Sequence, residues 1–219
     1  DPDEKSSAED GQLAALKVIA YAQNMYKKYR DNPSDNLASA LLLGTVDGVP
    51  LSEEDFCWMV VMIIVAGNES TRTSISQGMR QLITHPDQLK YLQENPDKIG
   101  SAIEEIIRFN PPFVCMRRTA LEDLTLAGKH IKRGDKIVLH YHTVNRQREL
   151  FGDDSDQFDV RRVENKPEVV RNIRSFGIGP HFCLGKHLAR MELKVMFEEL
   201  IPRIKNPSFT APVKYMRSY

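Results

Sequence analysis

The sequence predicts a mainly α-helical fold with a small β-sheet, and three observations lead there. As far as Arg108 the large apolar residues recur at helical spacing, and the breaks between runs are marked by proline, asparagine and aspartate. After Asn110-Pro111-Pro112 the pattern shortens to runs of strand length punctuated by Gly128 and Gly134. A last amphipathic stretch, Leu184 to about Leu200, returns to helix.

Each element has its own signal. Leu13 to Arg30 spaces Leu16, Ile19, Met25, Tyr26 and Tyr29 along a helix, and Asp31-Asn32-Pro33-Ser34-Asp35 stops it. A brief helix, Asn36 to Leu43, meets the turn signal Asp47-Gly48. Ser52 can cap the next helix, with Asp55 three residues on favouring its positive end. That helix is expected from Glu53 to about Thr84, where His85-Pro86 ends it, long enough to cross a whole domain. Asp87 to Glu94 and Pro96 to Arg108 follow as shorter helices. Strands are expected at Arg117 to Ala127, His130-Ile131 and Lys136 to Tyr141, within a sheet region spanning 117–141. From Thr143 to Ser175 periodicity is weak and polarity high, which in a compact domain marks a functional segment.

Composition narrows the function. The 219 residues suffice for one large domain or two small ones, and 41% hydrophobic with 27% charged residues excludes disorder throughout. Thirty basic and thirty acidic side chains give no basic excess for nucleic acid. The three cysteines, Cys57, Cys115 and Cys183, are too few and too scattered for a disulfide scaffold, so a reducing, cytoplasmic setting is expected. The longest apolar run, Phe56 to Ala66, is far below the ~20 residues of a membrane span. The polar start and the lack of an initiator methionine lead us to expect a processed chain or a piece of a longer one.

The chemistry concentrates in residues 176–185, Phe-Gly-Ile-Gly-Pro-His-Phe-Cys-Leu-Gly. Gly177 and Gly179 permit tight turns, and Gly185 permits close approach of something flat or bulky. A helix starting there offers free N–H groups and a positive dipole end to a charged sulfur. Three readings of Cys183 stand side by side. They are a buried structural cysteine, a zinc site with His181 and His187, and a haem iron held by one thiolate.

The run Phe-x-x-Gly-x-x-x-Cys-x-Gly, with His181 two residues before the cysteine, resembles the haem-binding loop of the cytochrome P-450 family. Every constrained position is filled. The family also carries Glu-x-x-Arg on an upstream helix. That pattern occurs at Glu69/Arg72, Glu105/Arg108 and Glu168/Arg171, but only Glu105/Arg108 ends its helix at a Pro-Pro and precedes the strands. It looks like the family's buried pair, which locks to an arginine before the haem loop. Here the segment Phe158-Asp159-Val160-Arg161-Arg162 is similar, with Arg162 as third member. On the long helix, Ala66-Gly67-Asn68-Glu69-Ser70-Thr71 resembles the oxygen-activation motif, with Ser70 where threonine is usual. The serine keeps the hydroxyl and loses the methyl that fixes its rotamer. Arg118 and His181 sit where the family places partners for the haem propionates.

The resemblance covers the whole chain and corresponds to the C-terminal portion of the family's fold. It implies a haem-thiolate monooxygenase. Cys183 would be the axial ligand of haem b iron, and Phe176, Gly177, Gly185, Ala66, Gly67 and Ala189 would lie against the cofactor. Glu69 and Ser70 would relay protons. No Gly-x-Gly-x-x-Gly loop is present, so electrons would come from a ferredoxin-type donor with its reductase, docking near Lys186 and Arg190. The wording Ala-Gly-Asn-Glu-Ser-Thr-Arg is most similar to bacterial steroid and lipid hydroxylases, and Val65, Ala66, Phe113 and Val114 would line an apolar pocket. The alternatives are a truncated, non-catalytic haem-binding fragment and a zinc-binding structural module.

Overall fold

The computed structural model describes residues 8–213, which divide into two compact units at residue 68. In the first, α1 (Ala8–Asp31), α2 (Leu37–Leu43) and the start of α3 (Glu53–Thr84) gather around Ala22, Ala38, Phe56, Cys57 and Val60. The Tyr26 ring meets Phe56 edge-on at 5.6 Å. The Asn36 side chain caps α2 by accepting from the Ser39 N–H at 2.9 Å. Ser52 caps α3 as expected, its hydroxyl accepting from the Asp55 N–H at 3.1 Å. The turn signal Asp47-Gly48 proves to join two short strands, β1 (Thr45–Val46) and β2 (Val49–Pro50). Both turn residues have positive φ, 52° and 80°, as a two-residue hairpin requires.

The second unit, residues 69–212, is organised around α5 (Ile99–Phe109). Ile99, Ala102, Ile103, Ile106 and Ile107 recur at i, i+3, i+4, i+7 and i+8 and are all buried, so α5 turns a continuous stripe into the core. Against it pack Leu82 of α3, Leu89 and Leu92 of α4 (Pro86–Glu94), and Leu193 and Phe197 of α9 (Lys186–Leu200). At Gly78, α3 runs close against α5 and α9. A Cβ there would stand 2.7 Å from the Phe197 ring and 2.9 Å from Ile106. Residues 96–98 form a 3-10 turn ahead of α5, so the helix expected from Pro96 starts three residues later.

The strand expected over 117–127 is two strands. β3 (Cys115–Thr119) pairs antiparallel with β6 (Lys136–His140), and β4 (Leu124–Leu126) with β5 (Lys129–Ile131). The β3–β6 ladder closes where buried Ala120 exchanges backbone hydrogen bonds with Gly134 and Asp135. Beyond it the Asp123 carboxylate accepts from the Arg133 N–H at 2.8 Å and turns the chain into the second hairpin. The segment 143–175 is a succession of single turns. They are α6 (Tyr141–Val144), α7 (Arg148–Phe151), α8 (Arg162–Asn165) and a 3-10 stretch over Pro167–Asn172. Among the described residues no helix is long and apolar enough to cross a membrane.

Candidate active site

Cys183 lies half-buried in the loop ahead of α9. Its N–H donates to the Phe176 carbonyl at 2.9 Å, closing residues 176–183 into a ring. Inside that ring Gly177 (φ 74°) and Gly179 (φ 69°) occupy the left-handed region, where a side chain is strained. Gly185 precedes the first turn of α9, and a Cβ on it would meet nothing within 4 Å. Ala189 sits one turn on, its N–H donating to the Gly185 carbonyl at 2.9 Å. The Phe176 ring carries the Arg190 guanidinium at 4.6 Å, and Arg190 in turn holds Glu104 of α5 bidentately at 2.5 and 2.9 Å. Arg190 is thus held between the loop and α5. Against the loop lies a cavity of about 580 Å³, lined by Arg171, Arg174 and Lys186 as well as Phe176, Ile178 and Phe182.

Glu105, Arg108 and Arg162 converge in the interior of the second unit, all within 2% of fully buried. Arg108 grips both Glu105 oxygens, Nε to Oε2 at 2.6 Å and Nη2 to Oε1 at 2.8 Å. Its remaining N–H groups reach the carbonyls of Asn145 (2.6 Å), Ser155 (2.8 Å) and Gln157 (3.1 Å). Arg162 donates to Glu105 Oε1 at 3.3 Å, to Asp154 Oδ1 at 2.9 Å, and to the carbonyls of Phe151, Asp154 and Gln157. Every guanidinium N–H is used, which is the condition under which a buried charge is tolerated. The Arg162 hydrogen bond holds the Asp154 carboxyl below its ordinary range. The other two Glu-x-x-Arg pairs differ. Glu69 and Arg72 form an ion pair in solvent at 2.5 Å, and Glu168 and Arg171 fall in the exposed 3-10 turn.

The other expected site residues are more dispersed. Ser70 is half-buried on α3 at the start of the second unit, while Val65, Ala66 and Gly67 lie on the exposed side of α3 within the first. A Cβ on Gly67 would meet nothing within 4 Å. Phe113 and Val114 are exposed ahead of β3, and half-buried Arg118 on β3 donates to the Arg117 carbonyl at 3.1 Å. His181 and His187 are both exposed. The zinc reading gains no support from the structure. Among the described residues no three histidine, cysteine or acidic side chains come close enough together to hold a metal ion. His181 ends a 3-10 turn and His187 is the second residue of α9.

A haem suits the donors that are present. One half-buried sulfur stands in a loop closed by its own backbone hydrogen bond, flanked by glycines that leave room for a flat ring and followed by the small side chain of Ala189. Sequence reasoning missed Asn145, Ser175 and the Glu104–Arg190 clamp. Asn145 and Ser175 are fully or almost fully buried polar residues within a stretch where polar side chains are common. Nothing in spacing marks them.

Known proteins place the chain. It is 35% identical over 218 residues to linalool 8-monooxygenase of Pseudomonas putida, covering 100% of this chain and 52% of that protein. It is 35% identical over 210 residues to steroid C26-monooxygenase of Rhodococcus jostii, covering 95% and 43%. The crystal structure of CYP109E1 from Bacillus megaterium in complex with corticosterone superposes with a TM-score of 0.82 at 32% identity, over 92% of this chain and 54% of that one. The chain spans about half the length of the relatives it matches. The family's sequence profile runs over residues 8–205, from the first helix past the last, so the likeness is not confined to one cysteine loop: the chain belongs to the cytochrome P450 family.

Proposed function

We propose that this chain forms the thiolate-bearing part of a monooxygenase that inserts one oxygen atom of O2 into a C–H bond of an apolar substrate, a steroid or related lipid. The observation that carries the reading is the Cys183 loop, closed by its own backbone hydrogen bond and presenting one sulfur. Haem is the cofactor of this family, and when bound it supplies the iron at which O2 is activated. Cys183 would hold the iron, Arg118 and His181 the propionates, and Phe176, Gly177, Gly185, Ala189, Ala66 and Gly67 the ring.

The chain's own residues would do the rest. Glu69 accepts from Arg72, and opening that exposed ion pair frees a carboxylate to take a proton from water. The Ser70 hydroxyl, one residue on, would pass it on. Val65, Phe113 and Val114 would supply an apolar wall that excludes water from the substrate. Relatives that oxidise steroids and linalool support an apolar substrate, as do CYP109E1 complexes with corticosterone and testosterone.

Electrons would come from a small acidic ferredoxin with its reductase in the cytoplasm, a setting that fits three unpaired cysteines. Arg171, Arg174, Lys186 and Arg190 line the cavity beside the loop and give it a basic rim, with the Arg190 charge partly taken up by Glu104. The reading is tested by reducing the haem-loaded protein under carbon monoxide. A strongly red-shifted Soret band lost in Cys183→Ser supports it, and an unshifted band in the unsubstituted protein refutes it. For the docking surface, Lys186→Glu should slow reduction by ferredoxin and weaken its salt dependence. Unchanged kinetics would remove that surface from the proposal.

A further inference from the structure

We propose that Asn145 is a positioning residue that sets the register of the Cys183 loop against α5. The inference rests on the haem-thiolate reading above, but its evidence is a chain of hydrogen bonds independent of any cofactor. Asn145 follows α6 and is 0% exposed. Its side chain uses every polar function it has. Nδ2 donates to the Arg108 carbonyl at 3.0 Å and to the Ser175 hydroxyl at 2.8 Å, and Oδ1 accepts from the Arg174 N–H at 2.8 Å. The Ser175 hydroxyl passes its proton on to the Ile107 carbonyl at 2.6 Å. One amide therefore ties the last turn of α5 to the two residues that precede the loop.

The connection continues to the sulfur-bearing residue. The Arg174 carbonyl accepts from the Gly177 N–H at 2.8 Å, and the Phe176 carbonyl accepts from the Cys183 N–H at 2.9 Å. Arg174 is thus held at its N–H by Asn145 and at its carbonyl by the first glycine of the loop. Tyr141, four residues before Asn145, comes near the same glycine, with its hydroxyl 3.6 Å from where a Gly177 Cβ would be. On the other side Arg146 stacks on Phe109 at 4.2 Å and donates to its carbonyl at 2.6 Å. Residues 141–146 form a bracket with α5 on one face and the loop entrance on the other. An amide is the one side chain of this size with two donors and an acceptor in one plane. An aspartate of the same shape would keep the Arg174 contact and set a bare oxygen against the Arg108 carbonyl.

The test compares the unsubstituted chain with Asn145→Asp, Asn145→Gln and a control, Gln93→Ala, which removes two hydrogen bonds to the Ile201 and Ile204 carbonyls. In the full chain before haem loading, amide exchange at Gly177 and Cys183 should accelerate in both Asn145 variants and stay unchanged in the control. Haem retention should then fall by roughly 10–100-fold, the usual effect of losing a residue that orients a metal ligand. In whatever haem is retained, the shifted Soret fraction should fall in the Asn145 variants only. Loop exchange and Soret position matching the control, at equal loss of thermal stability, would overturn the proposal and reduce Asn145 to a packing residue. An unshifted Soret in the unsubstituted chain refutes the haem-thiolate reading instead, and the exchange data still decide the clamp.

Discussion

Removal of Arg108 has a cost that can be worked bond by bond. In Arg108→Ala, Glu105 Oε1 keeps the Asp159 N–H at 3.0 Å and Arg162 Nε at 3.3 Å, but Oε2 loses the donor at 2.6 Å. The Asn145 and Ser155 carbonyls lose the Arg108 N–H groups that serve them, while Gln157 retains Arg162 at 3.1 Å. Three buried acceptors at about 1–3 kcal/mol each bracket the loss between roughly 3 and 9 kcal/mol. Breaking one partner from a buried ion pair sets the better-supported value at about 3–5 kcal/mol. That is a large share of the about 5–15 kcal/mol that holds a domain folded. Urea unfolding followed by circular dichroism measures it directly.

The double variant Glu105→Gln/Arg108→Ala, set beside its two single variants, supplies the decisive comparison. It removes the stranded carboxylate, so its loss should be smaller than the sum of the two single losses by about 0.5–3 kcal/mol. A loss under about 1.5 kcal/mol for Arg108→Ala, or strict additivity, would refute the reasoning. Either would mean that water reaches the network and takes over the abandoned acceptors.

Further outcomes follow from other parts of the structure. Gly78→Ala should destabilise by about 1–3 kcal/mol, since its Cβ would meet Phe197 at 2.7 Å, whereas Gly67→Ala should stabilise the helix by about 0.5–1 kcal/mol while impairing haem binding. Thermal midpoints and haem titration of the two variants check this. Burial lowers the pKa of His142, with Arg146 and His140 adding to the effect, so the folded chain keeps it neutral where the unfolded chain takes up a proton. Its contribution is whole above the ordinary value of about 6.5 and is lost as pH falls below it, so the thermal midpoint should drop on acidification below that value and drop less in His142→Gln. Glu104→Gln should cost about 1–3 kcal/mol and loosen Phe176, read as faster amide exchange at Cys183.

The helical half was legible because α5 writes its burial into its spacing, and because His85-Pro86 and Asn110-Pro111-Pro112 are steric stops. The cysteine loop was legible because its glycines occupy conformations that few other residues tolerate. Arg162 could be placed beside Glu105 only through a family likeness, since 57 residues separate them and no local pattern expresses a tertiary contact. Asn145 left no trace at all. Its partners are two backbone groups and a hydroxyl, none of which imposes a recognisable residue type. The division of 117–127 into two strands was equally hidden, because Leu121-Glu122-Asp123 bends through Asp123 and Arg133, ten positions away.

Arg108 and Arg162 bear on how freely the segment between 143 and 175 can vary. Six of their hydrogen bonds end on main-chain carbonyls, those of Asn145, Ser155 and Gln157 for one and Phe151, Asp154 and Gln157 for the other. A carbonyl is the same in every residue, so the two guanidinium groups recognise the path of the chain and not its spelling. Solvent-facing positions such as Glu149 and Asp153 are therefore open to wholesale replacement with the path preserved. The two arginines act as a mould into which different sequences can be cast, and a library randomised at those positions should remain folded as long as both arginines and Glu105 are kept.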